Sequence, residues 1–202
     1  MGYAIGNASI AVNRDTYAMG PYSFAQGRGT VAGYGAMATG FNANAFGNYS
    51  HTEGTTTYVD INAANGHAEG HGTRVYGEDA HAEGESTQAL GNWTHAEGLQ
   101  SIAHTKIAHA EGEATNAYGI ASHTEGQKTE ANGLGSHAEG IQTNAGKSAA
   151  HAEGYQTVAA GEYAHSEGEL AKAHSQSAHA EGKETQAGNE NYVAIASHAE
   201  GY

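Results

Sequence analysis

The sequence predicts an all-β fold, a parallel β-solenoid built from coils of fourteen residues. Three observations predict it. A His-Ala-Glu-Gly tetrapeptide, or a near variant, occurs eleven times, and from His67 to His179 its period is fourteen residues without slippage. Two other columns of that repeat accept almost nothing but alanine. The composition, with 30 Gly against 3 Phe, 1 Trp and 1 Pro in 202 residues, does not supply one broad hydrophobic core. A short fixed period means one unit stacked on copies of itself, not an enzyme domain with a single cleft. Repetition this strict also argues against the disorder that a Gly-rich, acidic composition would otherwise suggest.

The stretch Thr87–Gly98 shows how each coil is made. The fourteen-residue repeat divides into two seven-residue halves, one holding Ala89-Leu90-Gly91 here and the other Ala96-Glu97-Gly98. Fourteen residues are too few for two helices but enough for two short strands and two tight corners. The first alanine column reads Ala89, Ala103, Ala117, Ala131, Ala145, Ala159, Ala173 and Ala187. The second reads Ala82, Ala96, Ala110, Thr124, Ala138, Ala152, Ser166 and Ala180. Both must face a narrow interior. Since i and i+2 share a strand face, Thr87, Ala89 and Gly91 point in, and Gln88 and Leu90 point out. In the other strand Ala96 points in, and His95 and Glu97 point out. The threonines Thr87, Thr115, Thr129, Thr143, Thr157 and Thr185 share the inward parity, which argues against an exposed, ice-binding threonine plane.

The two outward faces differ in character. The column through Gln88 varies freely (Ile102, Asn116, Glu130, Asn144, Val158, Lys172, Gln186), as bulk solvent permits. The other face is nearly constant: His67 and Glu69, His81 and Glu83, His95 and Glu97, His109 and Glu111, His123 and Glu125, His137 and Glu139, His151 and Glu153, His165 and Glu167, His179 and Glu181. A face so strictly repeated meets a constant environment, and another copy of the chain is the simplest one. These eighteen residues are the predicted interface ladder. Energetics points the same way. At roughly 25 cal/mol per Å² of apolar burial, set against about 1–2 kcal/mol of backbone entropy per residue, an alanine interior leaves a lone coil stack short of stability. Stacked glutamates repel, and a histidine beside each can donate to it, more strongly when protonated. Such pairing predicts histidine pKa values raised above about 6.5, with that stabilisation fading as pH rises through the folded value.

The formal charge of −14, with 14 His neutral, excludes a phosphate backbone as partner. There are no cysteines, so neither disulfides nor thiolate metal sites are expected. No stretch is apolar for long enough to span a bilayer, and the first ten residues show no signal-peptide pattern. His-Ala-Glu matches half of the zinc-deaminase signature, but the other half requires cysteine. The zincin His-Glu-x-x-His is absent. Neither a nucleophile nor an oxyanion donor is indicated, so no catalytic residue, metal ligand or cofactor is assigned and the chain is not expected to be an enzyme. Imidazole and carboxylate from several chains could hold zinc or nickel, which leaves a metal-stapled fibre as an alternative.

The pattern Ala-x-Gly-x-x-[Ser/Thr]-x-Ala-x-Gly resembles the YadA-like head repeat of trimeric adhesins. The nearer matches are Tyr3-Ala4-Ile5-Gly6-Asn7-Ala8-Ser9, Tyr17-Ala18-Met19-Gly20-Pro21-Tyr22-Ser23 and Asn44-Ala45-Phe46-Gly47-Asn48-Tyr49-Ser50. The resemblance implies a left-handed β-roll and a homotrimer. This chain departs from the family where His and Glu replace apolar residues beside the alanine from His51 onward. Repeats of the His-Ala-Glu-Gly kind are similar to those of phage tail fibres and appendages. The expectations are therefore a structural segment of an extracellular fibre, on a virion tail or a bacterial surface, that projects or presents a receptor-binding part. The alternative is an adhesin head that itself grips a host-surface ligand. Possible partners beyond the chain itself are a host receptor or other fibre proteins. Residues 1–50 are expected to form irregular coils or a cap, and residues 51–202 the regular roll. Roughly thirteen coils at about 4.8 Å each predict a rod on the order of 60 Å. Two breaks in period, through Thr55-Thr56-Thr57-Tyr58-Val59-Asp60 and through Asn189-Glu190-Asn191-Tyr192-Val193, are read as bulges or contact loops.

Overall fold

The computed structural model describes residues 1–189 and 195–201. Among them there is no helix, and each strand pairs in parallel with its neighbours. The chain divides into two compact units, Met1–Ile102 and Ala103–Tyr202. Each is a parallel β-solenoid in which five-residue strands alternate with two-residue strands.

In Met1–Ile102 the long strands are Ile10–Arg14, Phe24–Arg28, Met37–Phe41, His51–Thr55, His67–His71, His81–Glu85 and His95–Leu99, each paired one-to-one with the next. The short strands Tyr3–Ala4, Tyr17–Ala18, Val31–Ala32, Asn44–Ala45, Tyr58–Val59, Arg74–Val75 and Gln88–Ala89 form the second sheet. In Ala103–Tyr202 the long strands His109–Glu113, His123–Gln127, His137–Ile141, His151–Tyr155, His165–Glu169 and His179–Lys183 lead to His198–Gly201. Their short counterparts run from Asn116–Ala117 through Glu130–Ala131, Asn144–Ala145, Val158–Ala159 and Lys172–Ala173 to Gln186–Ala187. Within each unit, from His51 onward, the His, Glu and Gly of one tetrapeptide meet those of the next. A one-residue slip would throw the alanines outward and the charges inward, so the register is fixed by the repeat itself.

The interior lies between the two sheets of each unit and is made of small side chains. Ala82, Ala89, Ala96, Ala138, Ala145 and Ala152 are wholly excluded from solvent, and alanines of both columns join one cluster in the second unit. Thr87, Thr115, Thr129, Thr143 and Thr157 are buried as well, so the threonine column faces the core and no threonine plane is exposed. The corners are sharper than alternation alone suggests. Ser86, Trp93 and Gln100 take positive φ angles of 59°, 58° and 57°. L-residues rarely adopt this region. Here the neighbouring coil holds each corner through the backbone: Ser86 N–H donates to His71 C=O at 2.8 Å, and Trp93 N–H to Glu78 C=O at 2.9 Å.

One column of the repeat was not foreseen as interior. The residue just before the His turns inward, whether Ala (Ala80, Ala108, Ala150, Ala164, Ala178) or Ser/Thr (Ser50, Thr94, Ser122, Ser136), and where it is Ser or Thr its hydroxyl donates to the carbonyl three residues earlier. Thr94 bonds Gly91 at 2.6 Å, Ser122 bonds Gly119 at 2.7 Å and Ser136 bonds Gly133 at 2.8 Å. Each bond tightens a corner; the carbonyls of Gly119 and Gly133 also accept the backbone N–H of Ser122 and Ser136, both at 3.2 Å. The sixteen-residue interval from His51 to His67 takes up its extra residues after Val59, in a turn where the Asp60 carboxylate accepts from the backbone and side-chain N–H groups of Asn62, both at 3.0 Å. That Asx arrangement makes the insertion a tight turn. In the second break, Glu190–Val193 lie outside the described residues, and His198 returns to register against His179.

Candidate functional site: the imidazole–carboxylate stripe

From His51–Thr55 onward, His and Glu occupy the first and third places of each long strand, so both project from the outer face with the small residue between them turned in. Parallel, in-register pairing then stacks like on like. In the first unit the rings of His51 and His67 lie 4.7 Å apart, those of His67 and His81 4.6 Å, and those of His81 and His95 5.0 Å. In the second unit His109, His123, His137, His151, His165, His179 and His198 form a continuous stack with centroid spacings of 4.7–5.0 Å. These spacings are the inter-strand distance itself. The ladder includes His51/Glu53 and His198/Glu200, which fall outside the strict fourteen-residue period.

Within each coil the imidazole Nε2 approaches its own glutamate. The separation is 3.9 Å for His67–Glu69, 3.8 Å for His81–Glu83, 3.6 Å for His95–Glu97 and 3.9 Å for His109–Glu111. It is 3.9 Å for His137–Glu139, 3.8 Å for His151–Glu153, and 3.6 Å for both His165–Glu167 and His179–Glu181. His123 and Glu125 occupy the same places in the ladder. At 3.8–3.9 Å the pairs are in Coulombic contact but beyond hydrogen-bond reach. The Nε2 atoms of His67, His81, His137 and His151 are buried and have no hydrogen-bond partner. On one chain the histidine side chains of these eight pairs are 34–40% exposed and the glutamates 44–51%. The stripe is therefore half covered, and its polar groups are under-satisfied.

At four ladder histidines the pKa shift runs opposite to the expected rise. His51, His81, His137 and His165 are all shifted below 6.5, first by burial, then by the positive charge that a protonated neighbouring histidine would bring. The glutamates pull the other way, and lose. Burial keeps water from the charged ring, and the histidines stacked upon it bring like charge close by; together these outweigh the attraction of half-solvated carboxylates. At these four places the neutral imidazole is favoured over an ion pair with its glutamate.

Sequence reasoning overlooked that the stripe continues toward the N-terminus as an apolar one. Met37 and Thr39 lie in register with His51 and Glu53, Phe24 and Gln26 with Met37 and Thr39, and Ile10 and Val12 with Phe24 and Gln26. Ile10 and Met37 are 55% and 39% exposed. Counting back from His51 in steps of fourteen and thirteen would have found this column. Among the described residues of one chain, no three His, Asp or Glu converge as a metal site requires. A metal on this stripe would need donors from more than one chain. No family model matches this chain, and no curated protein matches it.

Proposed function

We propose that this protein is a structural segment of a homotrimeric extracellular fibre of the phage tail-fibre kind, that it projects or presents a receptor-binding part, and that it carries out no catalysis. The observation that carries this reading is the contrast between two faces that solvent reaches to similar degrees. From Tyr17 onward the outer face of the short strands changes residue at every coil, while the outer face of the long strands keeps His and Glu in every coil of the regular ladder. Exposure to water alone would let both vary. A repeated partner surface explains the constancy, and a rotational assembly of identical chains supplies it. Association also covers the exposed Ile10, Val12 and Met37 and adds burial that an alanine interior lacks.

The test is the native mass of the full chain in solution by light scattering or native mass spectrometry. Three times the chain mass is expected. A single-chain mass at micromolar concentration overturns the reading.

A further inference from the structure

We infer that a cavity on the short-strand face of Met1–Ile102 binds a single sugar ring bearing a carboxylate. The cavity measures about 240 Å³ and spans three successive coils, lined by Asn42 and Asn44 from one, Thr56 and Tyr58 from the next, and Arg74 and Tyr76 from the third. The register brings them together: Asn44 pairs with Tyr58, and Tyr58 with Arg74. The Tyr58 and Tyr76 rings are 5.8 Å apart and inclined at 47°, so they form two walls and not a closed stack. Tyr58 is fixed by donating its hydroxyl to Asp60 at 3.0 Å, and Tyr76 is 39% exposed. The two-residue insertion after Val59 places that Asp60 turn directly behind the tyrosine.

The chemistry of the lining selects the ligand. Inclined aromatic rings pack against the C–H faces of a sugar. The Asn44 amide donates to Asn42 C=O at 3.3 Å, which leaves its side-chain carbonyl free to accept from a ligand hydroxyl. The Arg74 guanidinium has no ion pair or hydrogen bond among the described residues. Its planar fork fits a carboxylate in bidentate fashion. In a chain of formal charge −14, an unpaired arginine beside two tyrosines marks the place where an anion is welcome. The strand face that carries the cavity is the variable one, so packing along the His/Glu stripe leaves it open.

The experiment is saturation-transfer NMR on the full chain with three probes: glucuronate, glucose and acetate. Glucuronate should receive saturation through its ring protons, glucose should bind about tenfold more weakly, and acetate should show no transfer. Arg74→Gln should weaken glucuronate by about tenfold and bring it to the level of glucose. Tyr76→Ala, at an exposed position that leaves the circular dichroism unchanged, should abolish transfer. Absence of transfer to glucuronate overturns the inference, as does equal binding of glucose or indifference to Arg74→Gln. All six residues belong to one chain, so a single-chain native mass would end the fibre reading and leave this result standing.

Discussion

Gly140 and Gly135 lie five residues apart and answer differently to the same substitution. Gly140 is the last residue of a His-Ala-Glu-Gly tetrapeptide, with φ at +110°. A methyl group there would run into the carbonyl oxygen of Gly154 in the next coil. Gly135 has φ at +60° and open space around the place a methyl group would take. The equivalent corner one coil on holds Ala149 at φ +50°. Gly140→Ala should therefore cost at least about 3 kcal/mol, because backbone must move. Gly135→Ala should stay within about 1 kcal/mol, its strain offset by a stiffer unfolded chain. Urea denaturation of both variants checks this, and equal midpoints would contradict the account. The invariance of that glycine was legible in the sequence; its cause was not, since it depends on how closely stacked coils approach. The inward turn of Thr94 and Ser136 was hidden for a related reason. A hydroxyl in a polar corner looks solvated until the carbonyl it closes upon is known.

At the scale of the strand, burial of the imidazoles, reinforced by their stacking, decides the sign of the pH response. Because the folded pKa values of His51, His81, His137 and His165 lie below the ordinary 6.5, the native ladder resists protons that the unfolded chain accepts. Above about pH 6.5 both states are neutral and the contribution is fully present. As pH falls below that value the unfolded chain protonates first, and stability declines until pH has passed below the folded values. The urea midpoint should thus be lower at pH 5.5 than at pH 7.5, and His81→Gln together with His137→Gln should flatten the difference. A higher midpoint at pH 5.5 would restore the ion-pair ladder that the bare sequence suggests. The spacing of His and Glu was readable as a shared face from i, i+2 parity. The electrostatic winner was not, because it required knowing how far the rings are buried and the 4.6–5.0 Å ring spacing that parallel pairing imposes.

For the assembled molecule, the claim that identical chains meet along the stripe can be separated from any general fragility of the fold. Glu125 is exposed on the single chain, and a larger side chain there extends past its in-register neighbours Glu111 and Glu139 into solvent. If the stripe is the seam, that space is occupied by other copies, and Glu125→Trp forces them apart. Asn132 is equally exposed, on the outer face of the other sheet, in a column that already accommodates Tyr118 and His104. Asn132→Trp should retain the native mass and the urea midpoint, while Glu125→Trp should reduce the mass to one chain and lower the urea midpoint, because a lone coil stack loses the burial that assembly adds. The parallel sheets, the fourteen-residue coil and the alanine interior followed from periodicity, since each is a property of one repeat. Assembly belongs to the space between chains, where the sequence offers only the constancy of a face. Loss of the oligomer in Asn132→Trp but not in Glu125→Trp would move the seam to the short-strand sheet and leave the His/Glu ladder as a feature of the individual chain.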